Sequence, residues 1–139
     1  MRFEIPEDKK LVYEMSIPIR WGDMDAMRHV NNASYLRFFE TIRIEWMHSV
    51  GAVPDPNGEG PVIVNVFCNF IKQLEFPGLL LAKHYVSTPS RSSFDTFMTL
   101  ERSDMPGLVC ANGGATVVWV NAAAQKAVPL PDWFRQLLS

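Results

Sequence analysis

The stretch GDMDAMRHVNN, residues 22 to 32, concentrates side chains whose types could do chemistry: Asp23, Asp25, His29, Asn31 and Asn32. A carboxylate can act as a nucleophile or as a general base, and a histidine can carry protons near neutral pH. The same residue types also build Asx turns and helix N-caps that have no catalytic role. The stretch is therefore either a reaction centre or a turn that caps a helix.

A helix that follows this stretch should present its N-terminus to it. Asn31 or Asn32 can cap a helix that begins near Asn32 and ends near Gly51, since glycine commonly adopts the left-handed conformation that stops a helix. The free N–H groups and the dipole of that terminus favour negative charge developing nearby. Local chain geometry alone thus brings Asp25 close to a helix N-terminus.

The predicted helix carries a continuous apolar sector that covers about half of the helical wheel, which indicates a deeply embedded helix. The sector contains Tyr35, Leu36, Phe38, Phe39, Ile42, Trp46, Met47 and Val50. Arg43 falls inside it. A partly buried ion pair with Glu40, three residues earlier, is the expected explanation.

The remaining segments are rich in Val, Phe, Leu and Thr and predict strands within 10–21, 61–76, 79–87, 93–103 and 108–122. Alternation in SFDTFMTLE places Phe94, Thr96, Met98 and Leu100 on one face. The connections are too short for crossover helices and favour an antiparallel meander. The plan is α+β, with the sheet wrapped around the helix, and LPDWFRQLL forms a closing short helix or turn.

Composition bounds the class of protein. A chain of 139 residues, 47% hydrophobic and 20% charged, suggests one globular domain over residues 1–139. A net charge of −2 gives no reason to expect nucleic acid or an anionic membrane as a partner. The N-terminus has no apolar leader and no segment resembles a membrane span, so a cytosolic protein is expected.

The cysteines and two of the histidines suggest no metal site. Cys68 and Cys110 lie in apolar runs without a CxxC spacing, which predicts buried free thiols. His48 and His84 are far in sequence from other ligand types and are expected to be surface or strand residues.

The segment RWGDMDAMRHVNNASYLRFFETIRIEWMHSVG resembles the opening of hotdog-fold acyl-CoA thioesterases of the 4-hydroxybenzoyl-CoA thioesterase-like group. That group typically shows Asp-x-Asp, then His-Val-Asn-Asn, then a Tyr-led helix with Glu-x-x-Arg. The later stretches TPSRSSF, GGATVVWVN and LPDWFRQLL are also similar to parts of the family pattern. The resemblance therefore spans nearly the whole chain.

This resemblance implies a hotdog homodimer or homotetramer that hydrolyses acyl-CoA at sites between subunits, with no metal and no organic cofactor. It implies that Asp25 is the catalytic carboxylate, as nucleophile or general base, and that the backbone N–H near Asn32 polarises the thioester carbonyl. Plant acyl-carrier-protein thioesterases look similar here and use the histidine that corresponds to His29. Their catalytic asparagine is replaced by Met27, and Arg28 stands where many relatives have glycine.

Coenzyme A would also bring phosphates, which favour basic side chains at the rim of the pocket. The family pattern places Arg91, Ser92 and Ser93 at a strand edge near that entrance, so these residues are the expected substrate-binding set. Lys72 and Lys83 are further candidates.

Two other functions are compatible with the same fold. One is a hotdog module that binds acyl-CoA without cleaving it. The other is a hotdog dehydratase, but such enzymes carry a histidine before Phe-Pro-Gly, where this chain has Glu75. The aromatic residues of the predicted helix would suit an aromatic or a medium-chain acyl pocket equally well, so the acyl group is left open.

Overall fold

A computed structural model describes residues 3–139, in which a long helix packs against a six-stranded antiparallel sheet. The elements are β1 (Lys10–Ile19), α1 (Asn32–Ser49), β2 (Glu59–Phe70), β3 (Gly78–Val86), β4 (Ser93–Arg102), β5 (Val109–Asn121), β6 (Lys126–Ala127) and α2 (Asp132–Leu138). A short 3₁₀ helix, Trp21–Asp23, lies between β1 and α1. The α+β plan and the closing helix agree with the sequence-based expectation, whereas β6 was not predicted.

The strand order departs from a simple meander. It is β1-β3-β4-β5-β2, with β6 beside β5. Strands β3, β4 and β5 follow one another as predicted, but β2 lies at the far edge and pairs with β5. The prediction of a continuous meander is wrong at this point, because the chain crosses from β1 to β2 at the opposite edge of the sheet and then returns to place β3 beside β1.

Helix α1 begins and ends where local signals predict. The Asn31 side chain caps it by accepting the Ala33 N–H at 2.9 Å, and Gly51 adopts a left-handed φ of 80° just beyond its end. Most of the predicted apolar sector is buried against the sheet, whereas Leu36 remains 38% exposed. One face of the helix is therefore buried against the sheet, and a neighbouring face is exposed to solvent.

The predicted ion pair between Glu40 and Arg43 is wrong. Glu40 pairs instead with Arg37, on the more exposed side of the helix. Arg43 is 5% exposed, and burial lowers the pKa of its guanidinium while the charge of Glu40 opposes that effect. Both arginines stand three residues from Glu40, and the helix orientation on the sheet decides which one is accessible to it.

Both cysteines are free thiols, Cys110 buried and Cys68 half-buried, as predicted. Within residues 3–139, no helix is both long enough and apolar enough to cross a membrane.

Candidate active site

The stretch from Met24 to Val30 folds into a tight turn that Asp25 closes. Its N–H donates to the His29 carbonyl at 2.9 Å, and its carbonyl accepts the Arg28 N–H at 3.0 Å. Its side-chain Oδ1 accepts the N–H groups of Met27 at 2.9 Å and His29 at 3.4 Å. One carboxylate oxygen of Asp25 is therefore used to hold the turn in shape.

Arg28 occupies a backbone conformation that glycine would adopt more easily. Its φ is 64°, in the left-handed region, which costs a residue with a Cβ about 1–2 kcal/mol of conformational energy. Arg28 also lines a cavity of about 510 Å³ together with Trp21, Gly22, Met24 and Asp25. The turn that glycine would favour is thus retained, and a basic residue borders the space beside Asp25.

The two aspartates of the stretch differ in their hydrogen bonds. Asp23 accepts the Arg20 N–H at 2.7 Å through Oδ2, and its carbonyl accepts the Asn31 N–H at 2.8 Å. Asp25 is exposed, and its Oδ2 accepts no hydrogen bond from the part of the chain that the structure describes. Asp23 is occupied in the turn, whereas Asp25 has an oxygen available to a ligand.

The start of α1 leaves a donor available in the same place. The Ala33 N–H is taken by the Asn31 side chain and the Ser34 N–H by the Asn31 carbonyl, both at 2.9 Å. The Asn32 N–H donates to no acceptor among residues 3–139. A helix N-terminus with an open N–H suits an oxygen that carries or develops negative charge.

Asp25, His29 and Asn32 line one open cavity of about 490 Å³. Its other walls are Met27, Val30, Tyr35, Phe70, Ile71, Lys72 and Gln73. Tyr35 is buried at the helix side, and its ring meets that of Phe70 edge-on with centroids 4.9 Å apart. Burial raises the pKa of the Tyr35 hydroxyl, so at neutral pH it is uncharged.

Arg91, Ser92 and Ser93 lie at the other end of the sheet within this chain. Asp25 follows the end of β1, level with the start of β3 and the end of β4. Ser93 begins β4, a strand of ten residues, so the separation is roughly 30 Å at about 3.3 Å per residue. The carbonyls of Ser90 and Arg91 accept hydrogen bonds from Arg135 of α2, which fixes this loop. Lys72, by contrast, lines the cavity.

Sequence reasoning missed the wall formed by Phe70, Ile71 and Gln73. These residues end β2 and begin the next loop. The end of β2 pairs with the start of β5, which brings them to the end of the sheet where Asp25 lies, and they line its cavity. No local pattern marks that pairing.

The Cys68 thiol is a poor nucleophile in this setting. Burial raises the pKa of Cys68 to about 12, so it stays protonated at neutral pH. No group of three or more His, Cys, Asp or Glu side chains within residues 3–139 is arranged to hold a metal ion.

Comparison with known proteins finds one matching family and several solved structures with a similar fold. The model of a family described as "Thioesterase-like superfamily" matches residues 19–138. Among solved structures, the PA2801 protein of Pseudomonas aeruginosa is similar with a TM-score of 0.88 and 29% identity, over 94% of this chain and 100% of that one. Slr0204, a 1,4-dihydroxy-2-naphthoyl-CoA thioesterase from Synechocystis, is similar with a TM-score of 0.82 and 14% identity, over 91% and 94%.

A curated relative is the uncharacterised protein YsmA of Bacillus subtilis strain 168, 22% identical over 88% of this chain and 82% of its own length. Together with the structural likenesses, the family match confirms the predicted hotdog fold, an antiparallel sheet around a long helix.

Proposed function

Because this chain belongs to the thioesterase-like superfamily, we propose that it hydrolyses acyl-CoA thioesters to a free acid and CoA. The observation that carries the proposal is the pairing of two unengaged groups on one cavity. Asp25 Oδ2 is an available carboxylate oxygen, and the Asn32 N–H is an available donor at a helix N-terminus. Hydrolysis of a thioester needs both kinds of group.

The chemistry can follow either of two routes. In one, Asp25 Oδ2 attacks the thioester carbonyl carbon, the C–S bond breaks, CoA leaves as the thiolate, and water hydrolyses the resulting anhydride. In the other, Asp25 takes a proton from a water molecule that attacks the carbonyl directly. In both, the Asn32 N–H stabilises the oxyanion, a contribution worth about 100- to 1000-fold in rate for a well-placed donor.

A second copy of the chain is part of this proposal. Strand β2 has β5 on one side and, within residues 3–139, no strand on the other. It exposes Val62, Ile63, Val64, Val66 and Phe70. A long apolar edge of this kind invites pairing with another strand, and an identical edge can supply it. Phe70 also lines the cavity, so the second copy would border the site.

This arrangement offers a place for Arg91, Ser92 and Ser93. Two β2 strands related by a two-fold axis run antiparallel, so the end of one lies toward the start of the other. The start of β4 lies at the same end of the sheet as the start of β2, because both pair with the last residues of β5. Arg91 of the second copy would then lie on the side of the first copy's cavity, where it can meet a CoA phosphate.

The test is the release of free thiol by purified protein from a panel of short, medium, long and aromatic acyl-CoAs. Turnover of any of them supports the proposal, and the preferred chain identifies the acyl group. If acyl-CoA raises the melting temperature but no thiol is released, the protein is a binding module instead.

A further inference from the structure

A carboxylate outside the predicted site lies beside His29. Oε1 of Glu75 is 3.7 Å from Nε2 of His29. His29 lines the cavity that contains Asp25, and Glu75 lines an adjoining cavity of about 330 Å³. Lys72 and Gln73 border both spaces. The imidazole therefore lies close to a second acidic group and lines the same cavity as the proposed catalytic carboxylate.

The backbone on both sides of Glu75 is attached to the turn that carries Asp25 and His29. The Leu74 carbonyl accepts the Val30 N–H at 2.8 Å, and the Phe76 N–H donates to the Met24 sulfur at 3.5 Å. Met24 and Val30 are themselves joined as a β-bridge across the turn. The residues before and after Glu75 thus contact the two ends of the catalytic turn.

The Glu75 carbonyl is held from the opposite side. Arg102 donates to it at 3.0 Å and to the Pro77 carbonyl at 2.9 Å. Asp104 accepts from Arg102 at 2.9 Å and keeps the guanidinium in this position. The backbone that bears the Glu75 side chain is fixed relative to His29, so their proximity follows from the fold and not from two free side chains meeting.

The pair contributes little to stability. The side chains of His29 and Glu75 are 30% and 66% exposed, and ion pairs this open to solvent contribute little to folding stability. The effect of this pair should therefore appear in the orientation of the imidazole and not in the stability of the fold. A catalytic hydrogen bond that is long in the free protein can also shorten when substrate binds.

We propose that Glu75 is a positioning residue that acts through His29. This proposal rests on the proposed function of the site. Glu75 accepts the Nε2–H of His29, which fixes the ring in one orientation and in the tautomer whose Nδ1 is a hydrogen-bond acceptor. In that tautomer the ring can accept a hydrogen bond from the water that Asp25 activates. The orientation of His29 is set by Glu75, and Glu75 itself does not touch the substrate.

Kinetics of five variants test the coupling: Glu75→Ala, Glu75→Gln, His29→Gln, the double variant of His29→Gln with Glu75→Ala, and Glu45→Gln. Glu75→Ala should lower kcat several-fold with little change in KM, because misorientation affects the reaction and not the binding of CoA. Glu75→Gln keeps an acceptor oxygen, so it should retain most of the activity that Glu75→Ala loses. In a His29→Gln background Glu75→Ala should cause no further loss. Glu45→Gln, at an exposed carboxylate of α1, is the matched control and should behave like the parent.

A second readout does not depend on turnover. Three-bond scalar couplings should show one χ1 rotamer for His29 in the parent and in Glu75→Gln, and averaging in Glu75→Ala. An unchanged His29 rotamer in Glu75→Ala overturns the proposal, and so does an equal loss of kcat with and without His29. If the parent itself releases no thiol, the proposed function fails, and the rotamer measurement alone decides whether Glu75 positions His29.

Discussion

The ring of Trp46 lies against the ring of His84, with centroids 4.9 Å apart, inside the core between α1 and β3. His84 is fully buried, and neither of its ring nitrogens has a hydrogen-bond partner within residues 3–139. Burial, followed by the nearby charge of Arg43, lowers the pKa of His84 to about 3. The fold therefore holds this histidine in its neutral form.

Acid sensitivity follows from that depressed pKa. The unfolded chain takes up a proton at His84 near pH 6.5, whereas the folded chain resists it until about pH 3. The free energy of unfolding should therefore decrease as the pH is lowered from about 6.5 toward 3, by about 1.4 kcal/mol per pH unit. His84→Leu should remove this part of the slope, measured by urea unfolding at pH 7 and pH 5. His48→Gln, at an exposed histidine of α1, should keep it.

Gly113 in β5 allows the strand to approach α1 closely. A Cβ at this position would overlap the Phe67 carbonyl oxygen and would stand 2.6 Å from the ring of Phe39. Gly113→Ala should therefore lower the free energy of unfolding by about 1–3 kcal/mol, the usual range for overpacking. Gly22→Ala is the control, since a Cβ there meets nothing within 4 Å. Equal stability of the two variants would contradict this account.

The fold was predictable where the sequence pattern is local. Alternation along β4 identified the buried face that contains Phe94, Thr96, Met98 and Leu100. The cap at Asn31 and the stop at Gly51 also follow from residues adjacent to the helix ends. These features depend on neighbours in sequence, so periodicity and capping rules are sufficient for them.

Features that depend on tertiary placement were not predictable. Glu40 has an arginine three residues away in each direction, and only the sheet's position decides that Arg37 is its partner. The cavity wall at Phe70 and Ile71 requires β2 to pair with β5, and the approach of Glu75 to His29 requires two loops to meet. Pattern rules describe single elements and carry no information on such meetings.

The exposed edge of β2 should control assembly. Val64, 57% exposed at this edge, would bury against the second copy, so Val64→Lys should shift the protein from a dimer or larger assembly to a monomer of about 16 kDa. Loss of the shared site should lower thioesterase activity as well. Leu11→Lys, on the β1 edge, should leave the mass unchanged in light scattering. A parent protein that is already monomeric at micromolar concentration would exclude the shared site.

Arg91 should affect binding of CoA and not the chemical step. If Arg91 of one copy meets a phosphate of the CoA bound at the other copy's cavity, Arg91→Ala should raise KM for acyl-CoA several-fold and leave kcat nearly unchanged, because the contact is equal in the ground state and the transition state. The effect should weaken as salt is added. An unaltered KM at low salt would remove Arg91 from the substrate-binding set.

Asp25 should carry the chemistry, and Asp23 should not. Asp25→Asn keeps the size of the side chain and an oxygen for the turn, but removes both the nucleophile and the base, so kcat should fall by at least about 100-fold. Asp23→Asn should have a much smaller effect on rate, because Asp23 contacts the Arg20 N–H and not the cavity with Asn32. Its effect should appear as a loss of about 1 kcal/mol in stability.

The Asp25→Asn result must be separated from damage to the turn. Oδ1 of Asp25 accepts two backbone N–H groups, and an asparagine oxygen can accept them too, so the melting temperature should stay close to that of the parent. A variant that melts normally but releases no thiol assigns the loss to the chemistry. If Asp25→Asn retains most of its turnover while Glu40→Gln abolishes it in a folded protein, the catalyst is the helix carboxylate, and the Asp25 mechanism must be abandoned.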